Sequence, residues 1–171
     1  MLSRRLFLFA FLIYGCFPSF LCAQVSLGGQ PFSWQTENGT TIAAIPVSEL
    51  PALDVEKTRL ADAKMPGQNR FAAPVDADVD ATKAGVWRVL PNGERIWQCQ
   101  IRSAGALGLI LKFDRFYLPA GSRFFAYTPD RKHLEGAYSA ESCLPDGQFL
   151  VGVVPGDVVV LEYWEPARTP A

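Results

Sequence analysis

This chain predicts an all-β fold, an antiparallel β-sandwich of jelly-roll-like kind, on three observations. Between residues 85 and 166, short runs of strand composition follow one another closely, punctuated by Gly, Pro, Asp and Asn. Residues 95–102 alternate apolar and polar with the period of two that marks a half-buried strand. Asp146-Gly147 and Pro155-Gly156-Asp157 set off two closing runs, 148–154 and 158–164, as an antiparallel hairpin. A leader and a partly helical arm come first. The division is a signal peptide at 1–23, an arm at 24–84, the β domain at 85–166 and a tail at 167–171.

The leader has Arg4 and Arg5, a short apolar run at 6–14, and Leu21-Cys22-Ala23 before Gln24. That order is a secretory signal with cleavage after Ala23, and it predicts a secreted, periplasmic or cell-surface protein. A retained anchor is the alternative. Pro18 and the short apolar run count against a span of about 20 residues. Ile13-Tyr14-Gly15-Cys16 also resembles a lipobox in part, with Tyr14 the misfit.

In the arm, Asn38-Gly39 is a hairpin signal before a strand at 41–46, and with Thr40 it also spells an N-glycosylation sequon. Residues 54–63 read as a short helix capped by Asp54 and ended by Pro66-Gly67. Asp76, Asp78 and Asp80 alternate as at the start of a calcium loop. The sixth place, which needs Gly, holds Ala81, and the twelfth, which needs Glu, holds Trp87, so the stretch reads as a solvated linker.

In the β domain, 86–90 is a strand, and Pro91-Asn92-Gly93-Glu94 turns into 95–102. There Trp97, Cys99 and Ile101 face inward, while Gln98, Gln100 and Arg102 form a wet face. Leu107, Leu109, Leu111 and Phe113 share the next inward face. Pro119 takes the chain out of the sheet, and residues 123–127 re-enter it. Residues 128–135 are a charged loop, and 137–139 a short edge strand. The continuous apolar run 158–161 marks a central strand. Leu107, Leu109, Leu111, Phe113, Phe125, Val151, Val153, Val159 and Leu161 are the expected core, each worth roughly 1.5–3 kcal/mol when buried.

Of the four cysteines, Cys16 and Cys22 lie in the leader. An oxidising compartment makes a Cys99–Cys143 disulfide the expected state of the other two. Closing that loop of about 44 residues is worth about 4 kcal/mol. One buried and one exposed thiol is the alternative.

The formal net charge of −1 leaves no basic footprint for nucleic acid or anionic lipid. The single histidine, His133, lies in the charged loop. No Gly-x-Ser-x-Gly elbow accompanies it, and one His with two distant Cys does not make a zinc set. A Cys143–His133 pair would need a free thiolate beside a positioned imidazole. No phosphate loop or dinucleotide fingerprint is present. The reading is therefore of a non-enzyme without cofactor or metal. Its functional handle is aromatic: Tyr117, Phe124, Tyr138 and Trp164 are candidates for a binding surface, with core packing as the alternative.

Several of these features also occur in a familiar order. Gly85-Val86-Trp87 opens the region, and Ser103-Ala104-Gly105-Ala106 precedes a Leu-rich strand. Phe116-Tyr117-Leu118-Pro119-Ala120-Gly121, then Tyr127-Thr128-Pro129-Asp130, then Pro155-Gly156-Asp157 before a Val-Leu-Glu strand complete it. From Leu50-Pro51 to Pro166 this resembles the non-catalytic N-terminal region of secreted bacterial lysyl-endopeptidase-type serine proteases. The resemblance implies a propeptide-like module whose partner, in cis or in trans, is a protease domain. In such precursors that domain carries the catalytic His, Asp and Ser, and no position here receives any of them. The expected contact surface is the hairpin 148–164 with the loop 128–135. The alternative is a free-standing exported module that binds glycans or a cell-surface protein.

Overall fold

Strand-forming sequence collects into two sheets of unequal size. The structure is a computed structural model, and it describes residues 26–35, 44–65, 67, 70–80 and 83–167. Its helices are α1 (Phe32–Gln35) and α2 (Val55–Ala63). Its strands are β1 (Val47–Glu49), β2 (Val86–Val89), β3 (Arg95–Arg102), β4 (Gly108–Phe113), β5 (Arg123–Tyr127), β6 (Leu134–Tyr138), β7 (Phe149–Pro155) and β8 (Val158–Glu165). The large sheet runs β1-β3-β8-β5-β6, with β2 also paired to β3. The small one is β4-β7.

The large sheet is mixed, which corrects the purely antiparallel expectation. β1 runs parallel to β3, with Val47 opposite Gln100 and Glu49 opposite Arg102. β2 takes the first half of the same β3 edge antiparallel, with Val86 opposite Gln98. The strand expected at 41–46 begins instead at Val47. Pro46 has no N–H for a ladder, though its carbonyl accepts from Gln100 N at 2.8 Å. Positions 41–43, the Asn38-Gly39 hairpin and the signal peptide lie outside the described residues.

β8 is the central strand that its apolar run predicted, paired with β3 along its whole length and with β5 on its other side. Alternation on these strands divides the large sheet into two faces. Trp97, Cys99, Ile101, Phe124, Ala126, Tyr138, Val159 and Leu161 meet Leu109, Phe149, Val151 and Val154 of the small sheet in one core. Phe116 and Leu118, from the segment between β4 and β5, join it.

Two expected core residues are outside. Leu107 precedes β4 and is 93 % exposed, and Val153 is 44 % exposed. A β-bulge displaces Val153. Leu109 stands opposite Val154 and Leu111 opposite Val151, so one extra residue sits in β7 and the phase of alternation shifts. Val154, not Val153, turns inward.

The second face of the large sheet is not wet, a further correction. Gln98 and Gln100 are buried, while Arg102 stays exposed. What covers them comes from far away in sequence. Ile45 joins Phe125, Tyr127, Ala137 and Val160 in a second cluster, against which Phe32, Trp34 and Leu134 pack. The backbone of 27–28 pairs with the outer edge of β6, Leu27 N donating to Ala137 O at 2.8 Å and Ala137 N to Gly28 O at 3.4 Å.

The predicted helix forms as α2, with Asp54 Oδ1 accepting from Lys57 N at 2.9 Å. It buries none of its side chains. Residues 70–80, with the three alternate aspartates, have no regular structure. No helix among the described residues is long and apolar enough to cross a membrane.

Gly85 shows why β2 opens on glycine. Its φ is +79°, and a Cβ there would lie 2.5 Å from Gln98 O and 2.6 Å from Trp97 Nε1. The indole crosses this spot to donate to Ala84 O at 2.8 Å. Gly85→Ala combines left-handed strain with a backbone clash, and we expect a loss of about 2–4 kcal/mol. Urea unfolding checks this, and an unchanged midpoint would refute the packing described.

Candidate functional site

The four candidate aromatics are not brought together. Tyr117 is 80 % exposed, on the loop after β4. Phe124 and Tyr138 are buried in the inter-sheet core. Trp164 lies on the opposite face of the large sheet, stacked on Phe32 at 4.0 Å and 3°, with its Nε1 donating to Glu94 Oε2 at 3.1 Å. The reason is the double cover of the large sheet: both phases of alternation on β5, β6 and β8 find something to pack on. A four-membered aromatic platform is therefore not formed.

The expected disulfide is also not formed, and both thiols are free. Cys99 points inward as its alternation predicts, with Ser48 Oγ at 3.6 Å. Burial pushes its pKa up. The Cys143 sulfur accepts from Leu118 N at 3.2 Å.

The runs 148–154 and 158–164 do not pair as the expected antiparallel hairpin: β7 joins β4 in the small sheet, while β8 lies between β3 and β5 in the large one, so the chain changes sheets at Pro155-Gly156-Asp157. That turn does meet the 128–133 loop. Thr128, Asp130, Lys132 and His133 on one side, and Pro155, Gly156 and Asp157 on the other, line a shallow depression of about 510 Å³. Gly156 N donates to Leu107 O at 2.9 Å, which sets the exposed Leu107 on its rim. Asp130 shapes the loop: its carboxylate accepts from Thr128 Oγ1 at 2.6 Å and Lys132 N at 3.2 Å. Those bonds, Thr128 first, bring its pKa down to about 2.

His133 is turned toward a carboxylate. Its Nε2 is 3.1 Å from Glu135 Oε1, and Glu135 Oε2 accepts from Tyr138 OH at 3.2 Å. Burial first, then the Glu135 charge, raises the Tyr138 phenol to about 12. Among the described residues, no group of three His, Cys, Asp or Glu is placed to hold a metal ion.

The most developed polar cluster was not anticipated. Glu162 is 0 % exposed in the middle of the large sheet, on the face covered by α1. Ser33 closes it from above, its N donating to Oε1 at 3.0 Å and its Oγ to Oε2 at 2.5 Å. Gln98 Nε2 at 3.0 Å and Tyr127 OH at 3.1 Å also donate to Oε2. A buried carboxylate is tolerable only with such a set of donors. Gln98 Oε1 and Trp34 Nε1 are buried with no hydrogen-bond partner among the described residues. The available sequence signal was faint. The polar phase of β3 carries two neutral amides before its first charge, and Glu162 directly follows the apolar run 158–161.

Tyr127 yields a pH prediction. Burial, then the Glu162 charge, raises its phenol from 10 to about 12. The folded state therefore keeps a proton that the unfolded chain releases near pH 10. Stability from this group is complete below pH 10 and is lost as pH rises toward about 12, by about 2–3 kcal/mol. Tyr138 and Tyr163, each also raised to about 12, add in the same direction. Urea midpoints taken across this window should fall, and fall less steeply in Tyr127→Phe. Equal slopes would show that Tyr127 ionises as freely when folded.

No protein-family model matches the chain, and no solved structure matches it at a significant level.

Proposed function

We propose that this chain is a non-catalytic, exported β-sandwich module of the prodomain kind, which acts by contact with a lysyl-endopeptidase-type serine protease domain. The observation that carries the reading is the depression shared by residues 128–133 and the turn 155–158, with Leu107 on its rim. It joins parts of the two segments, 128–135 and 148–164, that their expected exposure nominates as a contact surface. Exposed apolar residues beside a mostly apolar hollow rimmed by charged side chains suit a protein partner. Among the described residues each strand of the small sheet has a single partner, which supports the same reading, because such an edge can be extended by another chain. The dispersal of the four aromatics weighs against the glycan-binding alternative, which rests on Tyr117 alone.

A module of this kind binds the folded or folding protease and stabilises it by mass action until the link is cut. The test is co-refolding. A denatured lysyl-endopeptidase-type protease domain is diluted with and without the purified chain, and recovered activity is measured, as is inhibition of the mature enzyme. Either a higher yield or inhibition is expected, weakened at least tenfold by Leu107→Asp with Val153→Asp. Neither effect, and no heat of binding, would refute the reading. Saturable glycan binding lost in Tyr117→Ala would replace it with the alternative.

A further inference from the structure

Residues 26–35 meet the large sheet as a bound peptide meets its receptor. Three kinds of contact hold them. Main-chain pairing of 27–28 with Ala137 extends the sheet at the β6 edge, and Ser26 Oγ adds a bond of 2.6 Å to Gly136 O. Two aromatic side chains take separate seats. Phe32 stacks on Trp164, and Trp34 meets Tyr127 edge-on at 5.1 Å with the Arg131 guanidinium 5.5 Å from its ring. Between them Ser33 gives both its backbone N–H and its hydroxyl to the two oxygens of Glu162. Backbone pairing for affinity, with side-chain seats and one charge-assisted fork for specificity, is the logic of strand-addition recognition.

Two further observations indicate that this occupant is exchangeable. The side chains that seat it form a cluster separate from the inter-sheet core, so the receptor face belongs to a body with its own packing. The fit is also incomplete, because Gln98 Oε1 stays without a donor among the described residues. When the segment leaves, Glu162 is opened to water rather than stranded, which removes the usual penalty of an unpaired buried charge.

We propose that the face formed by β8, β5 and β6 is a recognition groove for a polypeptide segment of aromatic–Ser–aromatic pattern, filled in cis by residues 26–35 and open in trans to the same segment of a second copy of this chain. The result is a segment-exchanged dimer, in which each copy's Ser33 caps the other's Glu162. This inference does not rest on the protease-partner reading, since Tyr127, Glu162 and Trp164, which seat the segment, do not line the depression of the 128–133 loop.

The test uses two full-length variants. Phe32→Ala with Ser33→Ala spoils the segment and leaves the groove. Glu162→Gln with Trp164→Ala spoils the groove and leaves the segment. Each alone should stay monomeric, and an equimolar mixture should give a heterodimer by light scattering after size-exclusion chromatography. A labelled peptide of residues 26–35 should bind the spoiled-segment variant saturably. It should bind at least tenfold more weakly to the wild type, whose groove is filled, and at least tenfold more weakly when Glu162→Gln is added. A folded spoiled-segment variant that takes neither partner nor peptide would overturn the proposal, and so would binding indifferent to Glu162→Gln. Should the double variant not fold, hydrogen exchange on Ser33→Ala decides. Amides of Leu27 and Ala137 should exchange at least tenfold faster while those shared by β3 and β8 are unchanged. A common acceleration of both sets would show the segment to be integral and the groove fictitious.

Discussion

Glu162→Ala should destabilise the folded chain by about 2–4 kcal/mol, far beyond what a surface substitution costs. The carboxylate takes four hydrogen bonds from three residues, and the Tyr127 hydroxyl, 3.2 Å from Gln98 Nε2 and 3.4 Å from Ser33 Oγ, replaces it only in part. Removing it leaves the Ser33, Gln98 and Tyr127 donors facing a small void under α1. Hydrogen bonds to an ionised group contribute roughly 1.5–3 kcal/mol each, but they share one carboxylate, so their losses do not add. Release of residues 26–35 sets the upper limit, because water can then reach the orphaned groups. Glu162→Gln should cost less, about 1–2 kcal/mol. It keeps one acceptor and introduces an N–H₂ next to the unsatisfied Gln98 Oε1. Urea unfolding of the three proteins orders them. A midpoint for Glu162→Ala within error of wild type would mean that the segment does not sit on the sheet as described.

Most strands from residue 86 onward were legible, because each is bounded by residues whose backbone preferences end a strand; β6 was not, since Leu134 and Glu135 read as part of the charged loop 128–135. Pro91-Asn92-Gly93, Ser103-Ala104-Gly105, Asp146-Gly147 and Pro155-Gly156 act within four residues, and a local rule can read them. What was illegible depends on contacts made at long range. Gln98 and Gln100 alternate as a wet face should, yet Gln98 lies beside Glu162 under a segment 129 residues away from it in sequence, and Gln100 bonds to Ile45 O. The same cover packs Phe32 onto Trp164, while Phe124 is buried on the other face, against the small sheet. β7 failed for a different reason. A bulge inserts one residue, and after it every side chain changes sides. The cysteines show a third limit. An oxidising compartment argues that two thiols can pair but carries no information on whether their Cβ atoms approach within reach. The runs flanking Pro155-Gly156-Asp157 read as a hairpin but enter different sheets, because a short turn rule cannot tell pairing from a change of sheet, and Leu107 beside that turn read as core.

Phe149→Ala, by contrast, should cost about 3–5 kcal/mol, in the range of large aromatic truncations in a closed core. Phe149 is 2 % exposed at the start of β7, where it ties the small sheet to the large one. Its ring stacks on Phe116 at 4.0 Å and 7°, takes Tyr138 edge-on at 4.8 Å, and lies 6.3 Å from Phe113. Each such aromatic pair adds about 0.5–1.5 kcal/mol beyond area burial, so the site loses several favourable geometries at once. β7 cannot collapse easily into the void, because among the described residues it pairs only with β4, whose Leu111 and Phe113 are held in register by Val151 and Phe149. Val153→Ala is the informative control. Simple alternation from Phe149 would place Val151 and Val153 together in the core and would predict a loss of about 1–2 kcal/mol for each valine truncation. The bulge turns Val153 out, so Val153→Ala should stay within about 0.5 kcal/mol of wild type while Val151→Ala and Val154→Ala do not. Denaturant midpoints of the four variants separate the two descriptions of β7. A Val153→Ala loss equal to that of Val151→Ala would remove the bulge, and with it the outward apolar side chain beside the proposed protease-contact surface.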